Sequence, residues 1–558
     1  MIDILCKEYE TSRSDSTLSQ LLIQPQTYTV FTKLLRWYHE GLYSLSIFLY
    51  YVLQLFGMNT HIFIDQGRTI IQSLFEYLYD QDYIDEEWVM NHISVCTTKE
   101  EQAFHIYYLL LPCVLYKDED HINETFARIA CNLTFLKTCL VIQLTISECI
   151  RFYPVNVTYF YTYMGIPIKE VLQLYSTFMY QLCPELSYSY KKETKEDDTL
   201  TIGCFSQFLF KNHSVSRDRI GIIKHLCRRY KVYLFIPYEI APQEFYTLCM
   251  KDVTPYQIVT VSPHTIKERM KECNLDILLY PELGMCPYSY LYAHMRLAPV
   301  QMTTWGHSET SGISTIDYYI SSKYFETDES PLLYSETVLP LSSLSTYYYN
   351  LDYLKIQRES RDTILQSYQY DTKYTYYGIF QNMYKFHPCM VSFISDVCKK
   401  DSNARFVIIV SSLSIMKRHL QHVLFDVYNR IHLISNQSNS EYCRLLQAMD
   451  ILIDTYPFGG CNTSLDAFYL HKMVMTYPSQ QLNGRFTYGF YTYMNISEPI
   501  CSSYEEWIEK SVFYATHATE KNRVEETIRE KSVLLFRDQK SRVDWENCLL
   551  FLHKRHSE

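Results

Sequence analysis

Residues 450–466 read Asp450-Ile-Leu-Ile-Asp-Thr-Tyr-Pro-Phe-Gly-Gly-Cys-Asn-Thr-Ser-Leu-Asp466. Ile451, Leu452 and Ile453 make the short unbroken apolar run of a strand covered on both faces. Gly459 and Gly460 let the backbone come close to another group, and Asn462, Thr463 and Ser464 then open a helix. Free N–H groups and a helix dipole at such a start suit an anion such as pyrophosphate, and Asp466, one turn further in, is within reach of a ribose hydroxyl. Gly460, Cys461, Asn462 and Thr463 are therefore candidate phosphate contacts. The plainer alternative is a strand followed by an ordinary capped helix.

The chain around this stretch has 558 residues, 47% of them apolar and 16% aromatic, which is enough for several cores. A formal charge of -11 leaves no basic footprint for DNA or RNA. The 18 cysteines form no Cys-x-x-Cys pair, so neither a zinc cage nor a disulfide framework is expected, and reduced thiols in the cytoplasm are the simpler reading. The start, Met1-Ile-Asp-Ile-Leu-Cys-Lys-Glu8, lacks the basic region and cleavage site of a secretory signal. The most lipid-like stretch, 42–56, is too short to span a bilayer and reads as a buried helix. The 53 tyrosines are unusual, and composition alone assigns them no chemistry.

Two grammars divide the chain. Over 1–190 the apolar residues recur at helical spacing, with segments near 29–56, 67–78, 99–116, 122–152 and 168–182, an all-α domain. The segments return about every 35 to 40 residues, as in a degenerate helical-repeat array, and oligomerisation through these helices stays open. The charged stretch Lys191-Lys-Glu-Thr-Lys-Glu-Asp-Asp198 makes a boundary. Beyond it, short apolar strands alternate with helices: 200–205, 231–236, 256–261, 277–280, 301–305 and 318–320. After a connector over 341–370 the alternation restarts at 376–381, 405–410, 431–433, 450–454 and 473–476. Alternation of this kind implies parallel βαβ units. The expectation is α/β, with two Rossmann-like lobes at 199–345 and 370–558 and a ligand cleft between the carboxyl ends of their sheets.

Other residues fall where chemistry would occur. His213 follows the first strand of the first lobe, where it can hydrogen-bond a substrate hydroxyl or phosphate or serve only structure. Lys385, in Gln381-Asn382-Met-Tyr-Lys-Phe-His-Pro388, follows the first strand of the second lobe. Its ammonium can meet a diphosphate held at Asn462, or lie solvated on the surface. The loop Gly306-His-Ser-Glu-Thr-Ser-Gly312 is dense in polar groups: Gly306 allows close approach, and His307, Ser308, Thr310 and Ser311 offer hydrogen bonds to a polyhydroxylated ligand, otherwise forming a plain strand-to-helix loop. Asp80-Gln-Asp82 and Asp118-Glu-Asp120 fit a two-aspartate metal pattern but sit in the helical half and read as exposed charges. No metal site is indicated.

Arg296-Leu-Ala-Pro-Val-Gln301, Gly306-His-x-x-Thr-Ser-Gly312 with Ile316-Asp-Tyr318, Tyr384-Lys385 with Pro388, and the run from Asp450 to Asp466 stand in the order and spacing of one family. From about residue 199 onward the chain resembles the catalytic region of the O-GlcNAc transferase family, which includes Spindly-type enzymes and bacterial cytoplasmic N-glucosyltransferases. The resemblance implies a GT-B fold and an inverting, metal-independent transfer of GlcNAc or glucose from a UDP-sugar to a protein Ser/Thr hydroxyl or Asn amide. It needs no cofactor beyond the donor. It also implies that Lys385 stabilises the leaving UDP, that Asn462 and Thr463 bind its phosphates beside Gly460 and Cys461, and that Asp466 holds the ribose. Gly306 and His307 would line the sugar pocket, His213 would lie near acceptor and sugar, and Asn382 and Tyr442 would belong to the donor site. Tyr442 stands where the animal enzymes have a histidine near the uracil, Leu445 where they have an arginine, and Cys461-Asn462-Thr463 where they have His-Thr-Thr. These departures keep two other readings open: a GT-B-fold binding or scaffold protein without turnover, and a GT-B transferase acting on a glycan or small molecule.

Overall fold

The computed structural model describes residues 99–557 apart from 114, 140, 141, 153, 154, 194–198, 210–212, 239–255, 349–353, 355–358, 411 and 412. The helical segments expected near 29–56 and 67–78, the lipid-like stretch, Asp80 and Asp82 all lie outside them. Residues 103–558 form one compact unit.

In the helical half, the expected 122–152 segment is two helices, Glu119–Cys139 and Ile146–Phe152, and Lys169–Leu182 follows. Asp118 Oδ1 accepts the His121 N–H at 2.8 Å. That aspartate serves the helix start, where four N–H groups lack intrahelical acceptors. No helix among the described residues is long and apolar enough to cross a membrane.

The first lobe holds β1 (Thr201–Phe205), β2 (Lys231–Pro237), β3 (Tyr256–Val261), β4 (Ile277–Tyr280), β5 (Val300–Thr304), β6 (Tyr318–Ser322) and β7 (Thr337–Leu341). Their order across the sheet is β3-β2-β1-β4-β5-β6-β7 and every pairing is parallel. The second lobe holds β8 (Thr375–Ile379), β9 (Ala404–Val410), β10 (Ile431–Ser435), β11 (Ile451–Ile453) and β12 (Val474–Met475), in the parallel order β10-β9-β8-β11-β12. Both are doubly wound sheets, as the alternation predicts. Helices cover both faces, so Ile277-Leu-Leu-Tyr280 and Ile451-Leu-Ile453 are buried at every position and read as unbroken apolar runs. The sequence reading counts six strands in the first lobe. β7 escapes it because Thr-Val-Leu-Pro-Leu contains a proline, harmless here because β7 is an edge strand bonded to β6 alone.

Two features tie the lobes together. Trp305 and Phe325 of the first lobe meet Phe486 of the second at ring separations of 5.0 and 5.1 Å, so apolar packing runs across the lobe boundary. The C-terminal helix Gln539–Ser557, which the sequence reading places with the second lobe, returns to the first. Trp545, Leu549 and Leu552 join the core that contains Ile202, Leu234 and Leu279.

Candidate active site

In each sheet the strand order reverses at one point, between β1 and β4 in the first and between β8 and β11 in the second. Helices leave such neighbouring strands on opposite faces, which opens a crevice at their carboxyl ends. In the second lobe this brings together residues about seventy positions apart. Beyond β8, the Asn382 side chain accepts the Tyr384 N–H at 3.2 Å and starts the single 3-10 turn Met383–Lys385. Beyond β11, Asp454 organises the Gly-Gly turn: Oδ1 accepts the N–H groups of Gly460 at 2.5 Å and Thr455 at 3.0 Å, and Oδ2 accepts the Thr476 hydroxyl at 3.0 Å.

Lys385 bridges the two loops. Nζ donates to the Gly459 carbonyl at 2.6 Å and to Gln381 Oε1 at 3.1 Å, and Gln381 Nε2 donates to Thr463 Oγ1 at 2.6 Å. The ammonium also lies 4.3 Å from the centre of the Phe458 ring. Burial lowers its pKa from the usual lysine range to about 8, against the opposing charge of Asp454. Both glycines are required by this geometry. A Cβ on Gly460 would stand 2.5 Å from Gln381 Nε2 and from Thr463 Oγ1, and one on Gly459 would stand 2.9 Å from Asp454 Oδ2. The helix Asn462–Tyr469 begins here with Cys461 as N-cap and no side-chain cap. The ordinary capped helix is therefore not what the turn builds; the opening N–H groups are left for another acceptor. A small pocket beside it is lined by Phe380, Gln381, Tyr442, Thr463 and Ser464.

Asn462 and Asp466 face the first lobe. Asn462 Oδ1 accepts the Tyr348 hydroxyl at 2.7 Å, and Asp466, 5% exposed, pairs with Arg217 at 3.4 Å. The Asp466 side chain expected at the ribose thus carries a lobe-to-lobe contact, and the Asn462 side chain one to the connector, which sequence reading did not foresee. Leu445 is fully buried in the second core.

On the first lobe, His213 is the N-cap of the helix Ser214–Cys227. Its Nδ1 accepts the Val215 N–H at 3.3 Å and its ring stacks on Phe208 at 4.6 Å. Gly306 lies just beyond β5. Its close approach is to its own chain: the N–H donates to Pro281 O at 3.1 Å, and a Cβ would stand 2.3 Å from that carbonyl. Gly306→Ala is therefore expected to destabilise the fold by about 1–3 kcal/mol, read as a lower urea midpoint, because the neighbour is backbone that cannot turn aside. His307 packs its ring on Tyr159 at 4.9 Å, and burial lowers its pKa to about 4, so it is neutral. The polar density of its loop has an internal cause as well. Glu336 takes the Thr310 hydroxyl at 2.6 Å and the Ser311 N–H at 2.8 Å. These groups satisfy a buried carboxylate rather than standing ready for a ligand.

Sequence reading also missed Gln381, Asp454 and Phe458 as parts of the lysine bridge, and the 3-10 segment Val155–Met164, whose rings reach Tyr384 and Phe458. The Asp-x-x-x-x-Gly-Gly spacing was a usable signal for Asp454; the aromatic segment has no periodicity to betray it.

No protein-family model matches the chain. It is 21% identical over 342 residues to the probable UDP-N-acetylglucosamine–peptide N-acetylglucosaminyltransferase SPINDLY of Arabidopsis thaliana, a stretch covering 59% of this chain and 36% of that protein. The chain thus matches little more than a third of its curated relative. A mutant O-GlcNAc transferase of Thermobaculum terrenum superposes with a TM-score of 0.67 at 14% identity, covering 100% of this chain and 98% of that one. A glycosyltransferase of Rickettsia africae aligns more loosely, with a TM-score of 0.42 at 13% identity over 64% of this chain and 99% of its own. The chain thus has two lobes of GT-B architecture, and it is similar in fold to an O-GlcNAc transferase and in sequence to a SPINDLY-type enzyme.

Proposed function

We propose that this protein transfers a hexose, GlcNAc or glucose, from a UDP-sugar to a protein side chain, inverting the anomeric centre and using no metal. The observation that carries the reading is the Lys385 ammonium 2.6 Å from the Gly459 carbonyl, beside a helix start that no side chain caps. The acceptor oxygen or nitrogen forms its bond to the anomeric carbon from one face while the carbon–oxygen bond to phosphate breaks on the other. UDP leaves with that electron pair, and the proton lost by the acceptor passes to solvent water. Lys385 and the N–H groups at Asn462 and Thr463 meet the growing charge, positioned before it develops. Asp466 takes the ribose once Arg217 yields it, and Asn382 and Tyr442 complete the donor side. Gly306 and His307 wall the sugar from the first lobe. With Nδ1 accepting from the backbone, neutral His213 carries its proton on Nε2, which makes it a hydrogen-bond donor to substrate rather than a base in that state. The chemistry belongs to the cytoplasm, where UDP-sugars and reduced thiols coexist.

Release of UDP from UDP-GlcNAc or UDP-glucose in the presence of protein extract, with the sugar located on a peptide by mass spectrometry, tests the reading. No release with any UDP-sugar would sink it. A second reading, a binding protein without turnover, draws on the engagement of Asn462 and Asp466 by Tyr348 and Arg217; it requires UDP to raise the melting temperature while no product forms.

The lysine also sets a pH dependence. A diphosphate prefers the ammonium over the amine, so UDP affinity is fullest below pH 8 and falls as pH rises through it. Calorimetric titration should find roughly tenfold weaker binding at pH 9 than at pH 7, each unit being worth about 1.4 kcal/mol when one proton is linked. Lys385→Ala should flatten the profile.

A further inference from the structure

The segment Val155–Met164 comes from the helical half, yet its side chains end at the lysine bridge. Tyr163, 7% exposed, stacks on Phe458 at 5.0 Å and meets Tyr384 at 5.6 Å, and Phe160 meets Tyr384 at 5.2 Å. Phe458 is the ring that covers the Lys385 ammonium, and Tyr384 is the residue before it in the chain. On the other side, Tyr159 packs on His307 of the first lobe and accepts the Tyr163 hydroxyl at 3.0 Å. Thr162 repeats the pattern with polar groups, donating to Glu309 of the first lobe at 3.4 Å and accepting from Asn483 of the second at 3.0 Å. The segment then turns at Gly165, with φ of 73°, where a Cβ would lie 2.1 Å from Pro457. It is seated on the same turn that offers Gly459 O to the lysine.

We infer that Tyr163 is a positioning residue for Lys385: this aromatic segment roofs the lysine through Phe458 and Tyr384, so the helical half supplies a third wall of the site rather than only an appendage to it. The role in sugar transfer rests on the function proposed above, whereas the roofing of the amine does not. The groups that face the ammonium are Asp454, Cys461, the Gln381 amide and the Gly459 carbonyl from the second lobe, with no charged group from the segment itself. The segment therefore acts by excluding water, which disfavours the charged amine.

The test is the titration of the Lys385 amine in the full chain, read by trace acetylation with acetic anhydride across pH 6–11 and peptide mass spectrometry. The wild-type midpoint is expected near 8. Tyr163→Ala should admit water and move the midpoint upward by about one pH unit or more, while Tyr163→Phe, which keeps the stacked ring and loses only the hydroxyl, should leave it in place. Tyr163→Leu keeps apolar bulk without the ring and is measured alongside in case the alanine variant does not fold. A midpoint unmoved in a folded Ala or Leu variant, or moved equally by Phe, overturns the inference. Because the reading needs no turnover, it stands apart from the transferase assignment. Where turnover is present, the alkaline limb of kcat should move with the midpoint while KM for the acceptor stays unchanged.

Discussion

Lys385→Ala is expected to lower kcat for sugar transfer by about 10²–10³-fold, the cost of deleting one preorganised donor at a developing oxyanion. The loss should appear without unfolding. The folded-state pKa of this lysine, about 8, lies below the value it regains when the chain unfolds. Between those values the unfolded chain holds the extra proton, so the lysine's contribution to stability improves as pH rises through that window and is unfavourable below it. Removing such an amine should leave the melting temperature at pH 7 unchanged or slightly higher, so lost turnover cannot be blamed on lost structure. Lys385→Arg should recover little, because a planar fork does not fit where a compact ammonium sits between the Gly459 carbonyl and the Phe458 ring. UDP release by the alanine variant at the wild-type rate would remove this residue from the chemistry.

Trp545→Ala is expected to destabilise the first lobe by about 3–5 kcal/mol, the range for deleting a large buried aromatic. The side chain is fully buried in the first core, and its indole N–H donates to Ser345 O at 2.8 Å. Arg219, also buried, donates to the same carbonyl at 2.5 Å and lies over Trp305 at 4.1 Å and Trp545 at 5.8 Å. Alanine would leave a cavity and strip one face of a buried guanidinium. Urea denaturation followed by circular dichroism reads the change, and a midpoint equal to wild type would show that the helix Gln539–Ser557 is not needed by that core.

Much of the fold was legible because strands buried on both faces write themselves as unbroken apolar runs, as Ile277-Leu-Leu-Tyr280 and Ile451-Leu-Ile453 do. Strand order then places Lys385 beside Gly459 with no further information, since β8 and β11 are neighbours where the order reverses. What stayed hidden depends on partners distant in sequence. Arg217 and Asp466 lie 249 positions apart, and no local pattern announces their pairing. Glu336 absorbs the hydroxyl and N–H groups that made the 306–312 loop look like a sugar site, and a carboxylate twenty-five positions away carries no signal of that duty. The rings of Tyr159 and Tyr163 were lost among 53 tyrosines.

The return of the helix Gln539–Ser557 to the first sheet bears on the order in which the molecule is made. Trp545 reaches Ser345 across 200 positions of chain, and a ribosome adding about 5–20 residues per second emits the strands of the first lobe many seconds before the helix that completes their core. That sheet must wait with an apolar face uncovered until translation has passed the whole of the second, which makes the nascent chain a natural client for a chaperone and puts its hazard in the interval between β7 and residue 545.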